Sequence, residues 1–408
     1  MNCRFDQQEL KHLCIDLGFS PPSNSFLKKE QLEEPEVYFP LKLYVSEKTF
    51  LVQVAEYKKS SEIFSSDYVY FSSYSKHWLE HARKYTEMAA QRFSLNEASS
   101  VMEIASNDGY LLQYFREKNI PHVGVEPSSS VANAAIEKGI PTLIRFFGQD
   151  FAKEYTSQHP KPDLVIGNNV YAHVPDINDF TGGLKIILHE KGTITLEFPH
   201  LYNLVAQNQF DTIYHEHFWY FSLYSLLQVT EAHGLTVYDV EELPTHGGSL
   251  RLYIRHTENG DLPVLPSVGQ MLKKEIAAGM NTLEYYFRLQ EKATIVKNQL
   301  LQFIAAEKLE GKKIAAYGAA AKGNTLLNYC GIKPDQVTFV VDASPFKQGL
   351  YLPGSHIPVV QEDVLKAERP DYVIILPWNL KEEITQQLGY IREWGGKFVV
   401  PVPELQVI

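Results

Sequence analysis

Cysteine is scarce in this chain. Cys3, Cys14 and Cys330 are the three among 408 residues, too few and too scattered for a disulfide framework. Basic charge is also short: 38 Lys and Arg against 49 Asp and Glu leave a net charge of −11. That balance argues against an extended nucleic-acid surface and offers no membrane patch. No stretch approaches the ~18 continuous apolar residues that span a bilayer. Met1 to Asp6 carry no apolar signal core, so a reducing cytoplasm is the expected setting. Internal repeats, low-complexity tracts and a Gly-x-Gly-x-x-Gly fingerprint are missing too, and the last counts against a nicotinamide oxidoreductase.

What is present is ordinary globular composition, 44% hydrophobic and 21% charged, on a chain long enough for two or three domains. Residues 1–75 hold short strand-like runs such as Phe39–Tyr44 and Phe50–Val54. Residues 76–260 alternate strands (Ser100–Ala105, His122–Glu126, Thr142–Phe146, Asp163–Gly167, Gly192–Phe198) with helices (Tyr110–Lys118, Ser130–Lys138, Ile177–Leu188, Ser222–His233). Such alternation predicts an α/β fold with a parallel, doubly wound sheet and ligands at the carboxyl ends of its strands. Two further strands, Thr236–Glu241 and Ser249–His256, follow without a helix between them, the closing hairpin of class I methyltransferases. Residues 261–408 begin with one or two connecting helices. A second α/β pattern then runs through Lys312–Tyr317, Gly318, a helix to Tyr329, Val337–Val341, Asp371–Leu376 and Lys397–Val400.

The first chemical motif is the loop Glu103-Ile-Ala105-Ser-Asn107-Asp108-Gly109 after a strand, with Glu126-Pro127 closing the next strand. A tight turn and a helix N-terminus would face the ligand there, and an acid in the position of Glu126 holds ribose hydroxyls. S-adenosylmethionine has no pyrophosphate to cradle, so a carboxylate-rich loop suits it better than a dinucleotide. Phe147 ends the third strand, where adenine would lie, and Asn168 and Asn169 follow the fourth, with His173 just beyond. The densest cluster is Ile213-Tyr214-His215-Glu216-His217. A proton beside a ketone is too weakly acidic to leave for water, so a positioned imidazole is needed, and a neighbouring Glu can fix its tautomer. His215 and His217 lack the i, i+4 spacing of a helical zinc pair. In the last segment, Gly318-Ala-Ala-Ala-Lys322-Gly-Asn324-Thr opens a helix. Asp342 ends the next strand, and Lys347 follows it. A diphosphate with its nucleoside would fit that turn.

These blocks, together with His246-Gly247-Gly248, Cys330-Gly331-Ile332 and Pro353-Gly354-x-His356-Ile357-Pro358, resemble the 3-C-methyltransferases acting on nucleotide-linked 4-keto-deoxysugars. The resemblance covers nearly the whole chain. It implies three parts: a small N-terminal lobe, a middle cofactor domain and a C-terminal Rossmann-like domain holding a nucleotide-diphosphate sugar. A monomer or weak homo-oligomer is expected. His217 is then the base at C3, with Tyr214, Glu216 and His173 beside it. The sugar nucleotide would meet Tyr68, Tyr70, Lys322, Asn324, Asp342, Lys347 and Asn379. Family members hold zinc through two Cys-x-x-Cys pairs. Here those positions read Cys3-Arg-Phe-Asp6 and Ser46-Glu-Lys-Thr49, so no structural zinc is expected. Ala105 stands where the cofactor loop often has Gly. A C-methyltransferase for a non-sugar ketone and a non-catalytic sugar-nucleotide binder are the remaining alternatives.

Overall fold

Apolar runs of four to seven residues, buried on both faces, become the strands of the middle sheet because only a sheet covered by helices on each side takes such runs. The computed structural model describes residues 1–55 and 72–408. Tyr68 and Tyr70 lie outside the described residues. The strand order of the seven-stranded sheet is Leu235–Leu243, Ser249–His256, Thr193–Pro199, Leu164–Asn168, Val101–Ile104, His122–Val125, Thr142–Leu143. Pairing is parallel from Thr193–Pro199 outward to Thr142–Leu143, and Ser249–His256 runs antiparallel against Thr193–Pro199. The hairpin read from the sequence therefore closes the sheet as expected.

The third strand is shorter than the sequence pattern suggested. It stops at Leu143, because the Arg145 N–H turns back onto the Leu143 carbonyl and Ile144 and Phe146 stand exposed. Among the elements that went unread are the strand His12–Ser20 and the helices Lys76–Arg92 and Gln149–Gln158. Charged side chains mask the apolar stripe of Lys76–Arg92, although Ser75 caps it by accepting the Trp78 N–H at 3.2 Å.

A six-stranded C-terminal sheet is ordered Val359–Val360, Val340–Val341, Ile314–Tyr317, Tyr372–Ile375, Lys397–Val400, Gln406–Val407, parallel except for the last pair. Helices Pro266–Ala278 and Leu283–Leu309 connect the two sheets, and the longer one also backs the N-terminal lobe, where Gln290 accepts the Asp16 N–H at 2.7 Å. The lobe is an antiparallel sheet of His12–Ser20, Phe39–Val45 and Val52–Val54, and its fourth strand is Trp219–Tyr220. The imidazole-bearing loop thus leaves the cofactor sheet, crosses to the N-terminal lobe, and adds a strand there before returning to helix Leu223–Ala232.

Candidate active site

The cofactor loop leaves strand Val101–Ile104 in a left-handed path: φ is 57° at Ala105, 49° at Asn107 and 75° at Gly109. A side chain in that region costs roughly 1–2 kcal/mol, so Ala105 follows this left-handed path at a small penalty. Gly124 on the adjacent strand permits the loop's close approach, since a Cβ there would stand 2.3 Å from the Ser106 hydroxyl. Glu126 clasps the loop, its two carboxylate oxygens accepting the Asn107 N–H at 3.0 Å and the Ser128 N–H at 2.9 Å. A carboxylate has about four lone-pair sites, so two remain for hydroxyl donors. Burial raises the Glu126 carboxyl, while the two backbone donors pull it back. Asp108 is turned inward to the Ser73 hydroxyl and to Lys138 Nζ at 2.8 Å, where it braces the loop. Glu103 is buried behind it, and burial, with Glu126 and Asp108 nearby, pushes its carboxyl well above the ordinary range.

Beside this loop a cleft of about 460 Å³ is lined by Pro127, Ile144, Arg145, Phe147 and Phe151. Phe147 is held edge-on against Phe180 with ring centroids 5.1 Å apart, which gives the cleft an aromatic wall. At the end of the fourth strand Asn168 is buried with both carboxamide atoms unpartnered among the described residues, a polar group that a ligand would satisfy. Asn169 follows at φ 53° with its N–H on the Glu197 carbonyl at 2.7 Å.

The imidazole loop turns tightly, with the His217 N–H on the Tyr214 carbonyl at 3.0 Å. That turn brings positions three apart together, so the Tyr214 hydroxyl lies 2.8 Å from His217 Nε2 and the ring centroids are 4.1 Å apart. It also corrects one expectation. Glu216 does not reach His217; adjacent side chains diverge in the turn, and the Glu216 carboxylate accepts from Asn24 Nδ2 at 2.8 and 2.9 Å. Its main-chain oxygen instead takes the His173 Nδ1–H at 2.9 Å, which sets the His173 tautomer and holds that ring 4.5 Å from the His217 ring. His215 is fully buried and packs edge-on to Phe39 of the lobe, 6.2 Å between centroids.

Burial, assisted by His173, His246 and Lys322, holds His217 well below the usual imidazole range, so the ring is neutral at neutral pH. Burial likewise lowers His173 to about 4 and raises Glu216 to about 7. Among the described residues His217 Nδ1 has no hydrogen-bond partner, while 8% of the residue stays open. A neutral imidazole with an unclaimed nitrogen and a phenol on the other is a competent proton acceptor.

The C-terminal sheet completes the site. Helix Ala321–Cys330 docks on the loop through the Thr325 hydroxyl, which donates to the Ile213 carbonyl at 2.9 Å. Lys322 Nζ donates to Asn379 Oδ1 at 2.6 Å and sits 4.7 Å over the Trp378 ring, whose indole N–H holds Asp211 Oδ2 at 2.7 Å. Asn324 is buried with its carboxamide unpartnered among the described residues. Asp342 and Lys347 are not splayed toward open space. Asp342 accepts the Ala319 and Ser344 N–H groups at 2.8 Å, and Lys347 donates to the Ala319 carbonyl at 2.9 Å, so both brace the Gly318 turn. Asn24, Asp211 and Trp378 were not singled out from the sequence. Asp211 stands two residues before the quoted Ile213–His217 cluster, whereas Asn24 sits in a Pro-Pro-Ser-Asn-Ser loop that gives no signal beyond a turn.

Strand order, cofactor loop and aromatic cleft together define a class I methyltransferase. A methyltransferase domain profile matches residues 77–240, a C-methyltransferase C-terminal domain profile residues 244–403, and a zinc binding domain profile residues 3–64. The chain is 34% identical to the C-methyltransferase NovU of Streptomyces niveus over 394 residues, 97% of this chain and 93% of that protein. Among solved structures, PH0226 of Pyrococcus horikoshii matches at 13% identity, 49% of this chain and 100% of that one, with a TM-score of 0.38. Magnesium protoporphyrin IX methyltransferase of Synechocystis with bound SAH matches at 16%, 48% and 91%, with a TM-score of 0.36. The chain belongs to the S-adenosylmethionine-dependent C-methyltransferase family, and S-adenosylmethionine is its cofactor.

The zinc positions of the N-terminal profile do not fit a metal here. The Ser46 hydroxyl accepts the Lys48 and Thr49 N–H groups at 3.3 and 3.2 Å, and burial raises the Cys3 thiol to about 11. One thiol, the Asp6 carboxylate and two alcohols are a poor set for structural zinc, which favours Cys and His. No helix among the described residues is long and apolar enough to cross a membrane.

Proposed function

We propose that the protein methylates C3 of a nucleotide-diphosphate-linked 4-keto-6-deoxysugar. The observation that carries this reading is the neutral His217 imidazole, hydrogen bonded to Tyr214 at 2.8 Å, beside the Lys322 helix of the C-terminal sheet. The C4 carbonyl of such a sugar acidifies the C3 proton. His217 takes that proton at Nδ1 while Tyr214 fixes its ring, and the cation of Lys322 lies close enough to favour negative charge near the base. The helix N-terminus at Ala321, with Lys322, Asn324 and Asn379, holds the diphosphate, while Asp342 and Lys347 keep the preceding turn in shape. The sulfonium of S-adenosylmethionine supplies the methyl electrophile when bound. Glu126, Pro127, Phe147 and Asn168 orient it, and burial of the loop excludes water that would quench the carbanion.

The test is incubation with thymidine- and guanosine-diphosphate 4-keto-6-deoxysugars in heavy water. Without methyl donor, deuterium enters the sugar at one carbon; with it, mass spectrometry shows a single added methyl group. No deuterium uptake and no branched product with either nucleotide would remove the reading. A second measurement concerns the cofactor side. Glu126→Ala is expected to weaken S-adenosylmethionine binding roughly 10–100-fold, the worth of a charge-assisted hydrogen bond. An unchanged dissociation constant by calorimetry would place the ribose elsewhere.

A further inference from the structure

Besides the Phe39–His215 packing, the N-terminal lobe reaches the reaction loop at three places. Strand Val52–Val54 pairs with Trp219–Tyr220. The Arg4 guanidinium donates to the Val54 and Phe218 carbonyls, 3.1 Å each, and lies about 5 Å from the Phe218 and Trp219 ring centres. Asn24, in the loop between the first two strands of the lobe, meets the Glu216 carboxylate with one amide nitrogen 2.8 and 2.9 Å from its two oxygens. The same stretch of lobe is fastened to the C-terminal domain, where Leu27 bridges Tyr351 and the Glu36 carboxylate accepts the Gly354 N–H at 3.0 Å and faces His356 Nε2 at 3.0 Å. The stretch that carries Asn24 is therefore fastened to the C-terminal domain as well as to the reaction loop.

Glu216 is 6% exposed, and a buried carboxyl with a single side-chain partner depends on that partner for both direction and charge. His173 takes its main-chain oxygen, and Tyr214, His215 and His217 share its loop. Among the described residues Asn24 alone donates to the carboxylate. The main-chain oxygen of the same residue holds His173 against His217, so the carboxyl that Asn24 fixes and the carbonyl that His173 uses belong to one residue of the turn. We infer that Asn24 is a positioning residue for methyl transfer, through which the N-terminal lobe aims the Glu216 carboxyl and steadies the His173–His217 pair. The lobe that carries a metal-binding profile contributes an amide to the reaction loop instead. This rests on the acid/base reading of the loop given above, but its decisive readout needs no substrate.

That readout is an infrared titration of the Glu216 carboxyl in the full chain, taken as the difference between the parent and Glu216→Gln. The amide favours the carboxylate, so Asn24→Ala shifts the titration to higher pH. Asn24→Asp, which keeps the shape and removes the donor, shifts it further by placing a second carboxyl alongside, and it serves if the alanine variant folds poorly. In turnover, kcat falls roughly 10–100-fold with the Michaelis constant for S-adenosylmethionine unchanged. The break in the pH profile that Glu216→Gln abolishes moves upward in step. Titration at the parent pH in both variants would overturn the inference, as would a full-strength kcat in Asn24→Asp. Failure of every ketone substrate would instead sink the reaction assignment and leave the titration to decide the role of Asn24.

Discussion

Replacing His217 by asparagine is expected to lower turnover on the order of 10²- to 10⁴-fold, the usual contribution of a positioned general base. Asparagine keeps a planar polar group beside Tyr214 but cannot accept a proton. S-adenosylmethionine affinity should not change, because the cofactor loop and the aromatic cleft contain no atom of His217. The depressed affinity of His217 for protons adds a pH signature. Its neutral form is already complete at pH values where an ordinary imidazole would still be charged, so protonation of His217 limits the parent only on the acid side of about 6.5. Single-turnover rates and calorimetric binding on the same samples separate the two effects. Turnover within a few-fold of the parent would strip His217 of the role.

Arg251→Met is expected to be the most destabilising change outside the reaction loop, by about 3–5 kcal/mol. Arg251 and Glu197 are 4% and 0% exposed, with the guanidinium 2.7 Å from the carboxylate. Glu197 also receives His81 at 2.9 Å and Thr245 at 3.1 Å. Burial alone would raise this acid, but the hydrogen bond from His81 and the charge of Arg251 overcome it and hold Glu197 at about 2. A carboxyl held below its unfolded value near 4.5 stabilises fully above that pH and loses its contribution as pH falls toward 2. Without Arg251 the folded variant takes up a proton that the parent refuses, so the stability gap narrows as pH drops. Urea midpoints for both proteins at neutral and mildly acidic pH measure this. A gap that is constant or widens in acid would mean the pair is not what holds this corner of the sheet.

Much of the architecture could be read from the chain because parallel strands covered on both faces leave nearly continuous apolar runs, and those runs recur between helical stretches here. The hairpin Leu235–Leu243 and Ser249–His256 was legible because two strand-like runs follow one another with no helical period between them. The imidazole loop stood out by composition, yet its geometry did not. Sequence adjacency suggested that Glu216 serves His217, whereas the turn sends Glu216 to Asn24 and leaves Tyr214 facing the ring. The strand Trp219–Tyr220 was invisible because two residues carry no period, and its partner Val52–Val54 lies far away in the chain. Asp342 and Lys347 had the right chemistry for an anion, but a sequence does not show which polar groups the backbone has already claimed.

The strand exchanged between the reaction loop and the N-terminal lobe bears on how the chain is made. Val52 pairs with Tyr220, so the lobe emerges from the ribosome lacking one of its edges. At ~5–20 residues per second, several seconds or more pass before the missing piece appears. Through that interval the unpaired edge at Val52–Val54 is open to pairing with another nascent chain. Synthesis speed and chaperone supply, more than final stability, would then govern the yield of soluble enzyme.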